Sequence, residues 1–333
     1  LFFNQMIKLS IIIPFKNSEK TIIKTLKSIK NQNANCDLYE VLLINDFSNN
    51  KTTNKIKKYI YDFNNFKFYK SKKNVIGPGH ARNLGIVNSR GKYILFLDSD
   101  DCLRKGCLIK ILNEIDSINS DIYAFGFKVF DKIGNIKRKK RHDLSLMKYS
   151  KNKILNKYFE LSIIPQVISN LFSREFLIKN KIKFKIGYFE DILFFFKSIY
   201  YSKSIKVNND IFYIKYNTKN SITNTISRGH ILFHYKAYID CYNFINRKKI
   251  NKILRKRLKH FYLKGITGLT AVIIDKVISS NLVISKKNRF FLNIYKIYSK
   301  ILLASKIKYA YKTNKDKFVR NFFNFENAKK QIL

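Results

Sequence analysis

The stretch Lys92-Tyr93-Ile94-Leu95-Phe96-Leu97-Asp98-Ser99-Asp100-Asp101 decides how this chain can fold. Its first six residues predict a buried strand, and the next four positions hold three carboxylates. Like charges this close repel one another and raise each other's pKa unless a cation compensates them. Mg²⁺ or Mn²⁺ is the natural compensator, because both prefer carboxylate oxygens and leave positions open for water and phosphate. For this stretch alone, a solvated acidic turn is the favoured alternative.

Three more strands are predicted upstream of this stretch, with helices between them. The strands cover residues 8–14, 39–44 and 66–69, and the helices cover residues 22–29, 52–61 and a segment from His80 to Gly91. The first strand is continuous in apolar and β-branched residues and closes at Pro14, which is typical of a strand buried on both faces. Strands that alternate with helices at this spacing predict an α/β fold with a parallel, doubly wound sheet.

Three of the predicted strands end close to a candidate ligand-binding residue. Ligands of a doubly wound sheet bind beyond the C-terminal ends of its strands, and Pro14, Asp46 and Asp98 all fall at that edge. Because three separate strand ends agree, a ligand site explains the acidic stretch better than a solvated turn does.

A glycine-rich loop, Gly77-Pro78-Gly79-His80-Ala81-Arg82-Asn83-Leu84-Gly85, lies between the third and fourth strands. Its glycines permit a close approach of the backbone, and a helix is predicted to start near His80. A helix N-terminus with Arg82 in its first turn suits an anion such as a diphosphate. An ordinary glycine-rich loop explains the same residues equally well.

A second pair of carboxylates, Glu190 and Asp191, begins an otherwise apolar helix. The apolar flanks would desolvate Asp191, which favours a raised pKa and a role as general base. The alternative is a simple preference for acidic residues at a helix N-terminus. Around this helix, the pattern predicts a helix over 108–118, a strand over 122–129, a basic loop over 137–141 and a last strand pair or hairpin over 205–216.

The formal net charge of +44 suggests nucleic acid or an anionic membrane as a partner. Abundant Lys, Asn, Ile, Phe and Tyr indicate an AT-rich genome as a simpler cause. However, residues 228–333 carry 25 basic and 4 acidic residues, whereas the first 227 residues carry 41 and 18. This tail is about twice as basic per residue, and its apolar residues recur at helical spacing. It therefore predicts a basic helical extension that rests on an anionic membrane surface or packs against protein.

Other sequence features limit the possible location of the protein and the roles of its cysteines and histidines. No apolar run approaches the roughly 18 residues of a membrane span, and the N-terminus lacks a signal-peptide pattern, so cytoplasmic residence is expected. The four cysteines are scattered without a C-x-x-C pair, which predicts reduced, structural thiols. His230 and His234 are four apart on a predicted helix, but without a third ligand they are better explained as core or surface residues.

Four motifs, in this order, resemble those of glycosyltransferase family two. They are Ser10-Ile11-Ile12-Ile13-Pro14-Phe15-Lys16-Asn17, Val41-Leu42-Leu43-Ile44-Asn45-Asp46-Phe47-Ser48, Gly79-His80-Ala81-Arg82-Asn83-Leu84-Gly85 and Phe96-Leu97-Asp98-Ser99-Asp100-Asp101. The likeness continues through 170–177 and 189–191 to Tyr213 and 221–223, so it covers roughly residues 8–227. It implies a Rossmann-like nucleotide-sugar-binding sandwich of the GT-A type and an inverting reaction.

The resemblance implies roles for the residues on the donor side. Asp46 would hydrogen-bond the uracil or other base, and the backbone near Pro14 would line the nucleotide pocket. Asp98, with Ser99 beside it, would lie by the ribose and the metal. Asp100 would hold the Mn²⁺ or Mg²⁺ ion that bridges the donor diphosphate.

The resemblance also implies a base and a cationic residue. Asp191 would deprotonate the acceptor hydroxyl, and Arg82 would face the phosphates or brace the acidic stretch. An inverting transfer needs such a base together with stabilisation of a leaving diphosphate, so two separate acidic clusters divide the work. The chain departs from the family beside the base, where Asn45 and Phe47 replace the usual Asp and Gly.

The resemblance, together with the two acidic clusters, therefore implies a metal-dependent inverting glycosyltransferase of the hexosyl- or N-acetylhexosaminyltransferase type. A nucleotide-diphosphate sugar, most simply a UDP-sugar, would donate to a hydroxyl of a growing surface glycan such as capsule or lipooligosaccharide, or to a lipid-linked glycan. Residues 1–105 would bind the donor, 106–227 the acceptor, and 228–333 would form the basic helical region. The protein would work in the cytoplasm, peripherally at the inner face of the cell membrane.

Two other classes of protein compete with this prediction. A sugar nucleotidyltransferase would need a glycine-rich basic signature directly after the first strand, and residues 15–19 lack one. A nucleic-acid-binding module would account for the charge and would bind with a steep salt dependence, but it leaves the clustered aspartates without a purpose.

Overall fold

The structure is a computed structural model that describes residues 6–248 and Lys252, with gaps at 73, 132, 142–146, 148–152, 156–165, 217–227 and 249–251. All the described residues belong to one compact unit, Leu1–Lys259. Most of the basic tail predicted from the sequence lies outside the described residues.

The N-terminal part alternates strands with helices as the sequence predicts. Its elements are β1 (Leu9–Phe15), α1 (Ile22–Lys30), β2 (Tyr39–Asn45), α2 (Asn50–Ile60), β3 (Phe66–Lys70), α3 (Gly79–Asn88), β4 (Tyr93–Phe96) and β5 (Cys102–Leu103). A single 3-10 turn, Cys36–Leu38, leads into β2.

The C-terminal part is less regular. Its elements are α4 (Cys107–Glu114), β6 (Ile122–Phe130), β7 (Ile136–Lys140), β8 (Asn170–Ser173), α5 (Arg174–Lys179), α6 (Glu190–Tyr201), β9 (Ile205–Tyr216) and α7 (Arg228–Asn246). In the part of the chain that the structure describes, no helix combines the length and the apolar character that crossing a membrane requires.

One mixed sheet of nine strands connects the two parts, in the order β3-β2-β1-β4-β8-β6-β9-β5, with β7 paired to β6. The strands β3, β2, β1 and β4 are parallel, as expected for a doubly wound sheet. The strand β8 pairs antiparallel with β4 and with β6, whereas β6 and β9 are parallel to each other. The C-terminal ends of β1, β2 and β4 consequently lie at one edge of the sheet.

The strands that end at this edge are held in place by the hydrophobic core. Every residue of β1 and β2 is buried, which requires cover on both faces of the sheet. The helix α1 supplies part of that cover with Ile22, Leu26 and Ile29, which recur at helical spacing and are fully buried. The strand ends are therefore fixed by a packed core.

A cluster of phenylalanines packs α6 against β4. The rings of Phe96 and Phe194 lie perpendicular with centroids 5.7 Å apart, and Phe184 stacks on Phe194 at 3.9 Å. Phe172 of β8 closes the cluster at 5.4 Å from Phe194. Because Phe194 lies one turn after Asp191, this packing fixes the start of α6 close to the end of β4.

Two sequence predictions about these elements are wrong. The basic loop predicted over 137–141 is the edge strand β7, because its long charged side chains are tolerated where only one side of a strand is paired. The strand pair or hairpin predicted over 205–216 is the single strand β9. Its polar residues 208–210 are accommodated by register shifts around Gly126 in β6 instead of by a turn.

The helix α7 packs on α6. The ring of Phe244 lies 6.0 Å from Phe196 and 5.2 Å from Tyr200, both edge-to-face, and Lys185 pairs with Asp240 at 2.7 Å. The first described residues of the predicted basic region thus cover α6, which carries Asp191 in its first turn.

Candidate active site

The acidic stretch forms a turn between β4 and β5 that is tied to β9. Asp101 is buried, and its Oδ2 accepts a 2.7 Å hydrogen bond from the Tyr213 hydroxyl while its Oδ1 accepts a 2.9 Å bond from the Tyr216 amide. The Tyr213 hydroxyl accepts a 3.1 Å bond from the Asp98 amide. Burial raises the pKa of Asp101 to about 7, although the Lys215 ammonium works against it. Asp101 therefore braces the turn.

The donor set of the turn fits a hard divalent cation. Carboxylate oxygens of Asp98, Asp100 and Asp101 lie within 4.8 Å of one another, and Asp98 and Asp100 are only half-buried. Burial alone would raise the pKa of Asp98, but the Arg82 guanidinium and the Lys215 ammonium hold it below its ordinary value. Asp98 is therefore ionised, as a metal ligand must be, and oxygen donors of this kind suit Mg²⁺ or Mn²⁺.

Arg82, in the first turn of α3, joins the two acidic regions. Its guanidinium donates a 2.7 Å hydrogen bond to Oδ1 of Asp98 and a second, short one to Oε1 of Glu190, and its side chain is 6% exposed. Burial opposes the charge, but Asp98 and Glu190 raise the pKa of Arg82 above its ordinary value. Its contacts are those of a brace, and the phosphate contact expected for Arg82 stays a prediction.

The helix α3 and the loop before it also hold the segment that precedes α6. The Asn83 side chain donates a 2.8 Å hydrogen bond to the Phe184 carbonyl and accepts a 2.9 Å bond from the Phe184 amide. The Gly187 amide donates to the Ile76 carbonyl at 2.8 Å, and a Cβ placed on Gly77 would lie 1.9 Å from the Gly187 carbonyl oxygen. Close packing of the two backbones therefore requires glycine in this loop, whether or not a ligand binds there.

Glu190 and Asp191 lie in the first turn of α6. Phe189, just before them, has a left-handed φ of 59°, so the chain turns sharply into the helix. Burial raises the pKa of Asp191 and raises that of Glu190 to about 7, because the single guanidinium of Arg82 serves both of them and Asp98. A raised pKa suits a base that must accept and hold a proton near neutral pH.

Asp46 lies directly after β2 and is buried. Its amide donates a 2.9 Å hydrogen bond to the Phe15 carbonyl, next to the buried Pro14 of β1. Among the residues that the structure describes, its Oδ1 has no hydrogen-bond partner. Burial raises the pKa of Asp46 against the opposing charges of Lys16 and His80. A buried acceptor without a partner is costly, so Asp46 is suited to a ligand that brings an N–H group.

Ser99 helps to hold the acidic turn in place through its backbone carbonyl. The Thr25 hydroxyl on α1 donates a 3.0 Å hydrogen bond to the Ser99 carbonyl, which fastens the acidic turn to the first helix. The structure thus brings Arg82, Asp98, Ser99, Asp100 and Asp191 to one centre. Pro14 and Asp46 lie at the neighbouring ends of β1 and β2.

Sequence reasoning missed Lys215, which faces the acidic turn from β9. Its Nζ lies 3.8 Å from Oδ2 of Asp101 and 3.9 Å from Oδ2 of Asp98. Burial alone would lower the pKa of Lys215, but the neighbouring carboxylates raise it, so the side chain is charged. One signal in the sequence points to this position: residue 215 is two after Tyr213, and alternate residues of a strand share a face.

The remaining candidates take structural positions. His234 is buried between Phe189 and Tyr238, with ring centroids 4.7 Å and 5.0 Å away, and burial lowers its pKa to about 4. The side chain of His230 lies outside the described residues. All four cysteines are free thiols, and three of them are buried.

The fold and the site together define an α/β enzyme domain with a carboxylate centre at the ends of parallel strands. The model of the family "Glycosyl transferase family 2" matches residues 10–181, which is about half of the chain. The chain belongs to this family. The predicted family, the GT-A type Rossmann-like fold and the glycosyltransferase class are thereby confirmed.

Two curated relatives resemble the chain over most of its length. The poly(ribitol-phosphate) beta-N-acetylglucosaminyltransferase TarP of Staphylococcus aureus (strain N315) is 28% identical over 291 residues, 82% of this chain and 86% of TarP. The cholesterol galactosyltransferase of Borreliella burgdorferi is 27% identical over 232 residues, 67% of this chain. The match spans 64% of that galactosyltransferase, a little under two thirds of its length.

A solved structure shows the same fold. The crystal structure of S. aureus TarS 1-349 in complex with UDP-GlcNAc superposes with a TM-score of 0.64 at 22% sequence identity. It covers 79% of this chain and 73% of the TarS chain. At this level of identity the likeness extends to the architecture alone.

Proposed function

We propose that the protein is a metal-dependent inverting glycosyltransferase that moves a sugar from a UDP-sugar to a hydroxyl of a growing surface glycan. The observation that carries the proposal is the position of Arg82, which bonds Asp98 on one side and Glu190 on the other. One buried side chain thereby links the end of β4, which carries the candidate metal ligand Asp98, to the start of α6, which carries the candidate base Asp191. In-line transfer needs these two groups to be held in a constant relation.

On the donor side, Asp46 would accept a hydrogen bond from the N–H group of the base. Its unpartnered Oδ1 and its burial support this role, because a uracil imide would complete its hydrogen bonding. The backbone beside Pro14, at the end of β1, would form the neighbouring wall. The choice of uracil is supported by the fold shared with TarS, whose crystal structure contains UDP-GlcNAc.

Asp100 and Asp98 would hold Mn²⁺ or Mg²⁺, with the Ser99 backbone keeping the turn in place. A divalent cation bound there supplies positive charge to the donor diphosphate as it leaves. Asp101 contributes by bracing the turn through Tyr213 and Tyr216. Five carboxylates and two cations meet at this centre, and a divalent cation would relieve the repulsion among the carboxylates that are ionised.

On the acceptor side, Asp191 would take the proton of the attacking hydroxyl while the sugar–phosphate bond breaks on the opposite face. Burial raises the pKa of Asp191, which increases its strength as a base. Glu190 would position it through the bond to Arg82, and the phenylalanine cluster would keep α6 from shifting.

The acceptor is proposed to be a surface glycan or a lipid-linked glycan. The two curated relatives are named for transfer to poly(ribitol-phosphate) and to cholesterol, and both acceptors are cell-surface or membrane components. Residues 1–105 would form the donor half and 106–227 the acceptor half. The basic region 228–333 would bring the enzyme to the inner face of the cell membrane.

A panel of nucleotide sugars, assayed with Mn²⁺, with Mg²⁺ and with EDTA, tests the donor and the metal. We expect hydrolysis or transfer with a UDP-sugar that chelation abolishes and that Asp100→Ala lowers by at least about a hundredfold. Turnover that survives EDTA, or full activity of Asp100→Ala, would remove the metal from the mechanism.

A second experiment separates the base from the donor site. The Asp191→Asn variant should lose transfer while its affinity for UDP, measured by calorimetry, stays within about threefold of the wild type. Asp121→Asn serves as the matched control, because Asp121 lies just before β6 at the edge of the sheet opposite the acidic turn. This variant should keep both properties. Loss of transfer and nucleotide binding together in Asp191→Asn would make this residue structural.

A further inference from the structure

The hairpin formed by β6 and β7 presents an unusual surface. Its outer strand and turn, residues 131–141, contain six basic residues and one acidic residue, a formal net charge of +5. Ile136, Lys137, Arg138, Lys139 and Arg141 are exposed, and Lys140 is half-buried. Successive residues of a strand face opposite sides, so the basic side chains cover both faces of the sheet edge.

The single acidic residue of this segment, Asp131, bonds the backbone of the turn. Oδ1 of Asp131 accepts 2.9 Å hydrogen bonds from the amides of Ile133 and Asn135, and the Asp131 amide bonds the Asn135 carbonyl at 2.9 Å. All three bonds order the turn, and two of them occupy Oδ1 of the carboxylate. The outer surface of the hairpin is therefore cationic and preformed.

The turn of the hairpin is also apolar on its outside. Ile133 is 87% exposed and Ile136 is 54% exposed, so two large aliphatic side chains project from a strongly basic loop. A soluble polyanion gives such side chains nothing to bind. An anionic bilayer offers both partners, since phosphates lie at its surface and acyl chains lie just beneath.

The hairpin is joined to the candidate active site. Phe130, the last residue of β6 before the turn, stacks on Tyr216 with ring centroids 5.8 Å apart, and the Tyr216 amide bonds Asp101. In the sheet, Val129 pairs with Arg138 on one side and with Lys215 on the other. Two strand spacings of about 4.8 Å each therefore separate the hairpin backbone from the lysine that faces the acidic turn.

We propose that the β6–β7 hairpin is a membrane-docking element, which inserts Ile133 and Ile136 among anionic lipid headgroups while its basic side chains contact their phosphates. Docking through the hairpin places the end of the sheet that carries the acidic turn next to the bilayer. Binding to lipid is independent of catalysis. Only its use, the capture of a lipid-linked acceptor, rests on the proposed function.

Intrinsic fluorescence tests the contact directly, because the chain contains no tryptophan. Ile133→Trp places a probe at the turn, and Tyr61→Trp places one at a site of equal exposure, 86%, at the end of α2. With vesicles of phosphatidylcholine and phosphatidylglycerol, we expect the emission at position 133 to shift to shorter wavelength and to be quenched by brominated lipid. The emission at position 61 should not change. Equal behaviour of the two probes would overturn the proposal.

Co-sedimentation of the full chain with the same vesicles tests the charge. Lys137→Gln, Arg138→Gln and Lys139→Gln together should weaken binding by roughly a hundredfold. The control variant, Lys51→Gln, Lys55→Gln and Lys58→Gln on α2, has the same net charge and should change binding by about threefold at most. An equal loss in both variants would mean that only net charge matters, and would overturn the proposal.

Two further arms complete the test. Ile133→Ser with Ile136→Ser should weaken the binding that remains at high salt, because that part depends on apolar contact. If the triple hairpin variant instead loses affinity for soluble polyphosphate and keeps its affinity for vesicles, the hairpin binds an anionic polymer and the proposal is wrong. UDP affinity, measured on every variant, shows whether the donor site is intact, so failure of docking is distinguishable from failure of the proposed function.

Discussion

The ammonium nitrogen of Lys215 lies 3.8 Å from Oδ2 of Asp101, inside the cluster of carboxylates that fits a divalent cation. Its distance to Oδ2 of Asp98 is 3.9 Å, so the lysine faces two of the three aspartates. A cation fixed to the protein therefore shares the site with the expected metal. The two should compete, since each neutralises the same oxygens.

Replacing Lys215 with methionine should raise the affinity of the protein for Mn²⁺ by about tenfold, because a competing charge is removed and the length of the side chain is kept. The same variant should bind UDP more weakly in EDTA, where no metal compensates the diphosphate. Electron paramagnetic resonance of Mn²⁺ and calorimetry of UDP measure the two effects.

Lys110→Met is the matched control, because Lys110 pairs with Asp210 on the exposed surface at 2.5 Å. It should leave both affinities unchanged. Weaker Mn²⁺ binding in Lys215→Met would show that the lysine supports the metal site instead of competing with the metal.

Replacing Asp46 with alanine should lower the affinity for UDP by roughly 10- to 100-fold, with little change in the affinity for inorganic diphosphate, which lacks a base. The buried Oδ1 has no partner in the described chain, so a hydrogen bond from the base would be the interaction removed. Competition calorimetry with UDP, GDP and inorganic diphosphate measures the effect. Asp62→Ala, an exposed position, is the control, and equal losses for UDP and diphosphate would place Asp46 away from the base.

The features that could be predicted from the sequence are those set by strand ends. Apolar runs fixed β1, β2 and β4, and the residues after them, with Pro14 closing β1, were expected to meet because parallel strands end at one edge. This reasoning placed Asp46 and Asp98 at the ends of β2 and β4, which flank β1 in the same sheet. The order and spacing of the motifs also gave the correct fold class and family, because both can be recognised without any knowledge of side-chain contacts.

The contacts between distant segments could not be predicted in the same way. Lys215 is one of 66 basic residues, and only the pairing of β9 with β5 and β6 turns it toward the acidic turn. The bond between Arg82 and Glu190 joins residues 108 positions apart. The strand β7 resembled a solvated loop, because an exposed edge strand needs no apolar residues to be stable.

Replacing Gly187 with alanine should lower kcat by at least about tenfold, because this residue lies in the loop that sets the start of α6. Its φ is 127°, which only glycine adopts easily, and a Cβ would meet the Phe233 ring at 2.2 Å. The loop would have to move, and Asp191 would move with it. Steady-state kinetics and thermal unfolding measure the change.

Gly106→Ala is the matched control for Gly187→Ala. It has a φ of 76° and nothing within 4 Å of the added Cβ, so it carries the backbone strain without the crowding. It should lower stability by about 1 kcal/mol and leave kcat near that of the wild type. Equal kinetics in the two variants would mean that the loop before α6 does not position the base.

Glu190 should make the stability of the protein depend on pH. Its pKa is about 7 in the folded protein and 4.5 ordinarily, so the folded state holds a proton that the unfolded chain has released. Unfolding therefore releases a proton between these values, and the free energy of unfolding falls as the pH rises through this window. Below pH 4.5 both states are protonated, so the contribution of Glu190 to stability is fully present there and is lost by about pH 7.

Glu190→Gln should make this fall shallower by on the order of 2 kcal/mol between pH 5 and pH 7.5, because glutamine accepts the bond from Arg82 but does not titrate. Part of the dependence should remain, since burial also raises the pKa of Asp101 to about 7. Urea unfolding across this pH range measures the slope, with Glu175→Gln on the exposed start of α5 as the control. A slope in Glu190→Gln equal to that of the wild type would mean that Glu190 is ionised throughout, held so by Arg82, and that the proton resides on another carboxylate of the centre.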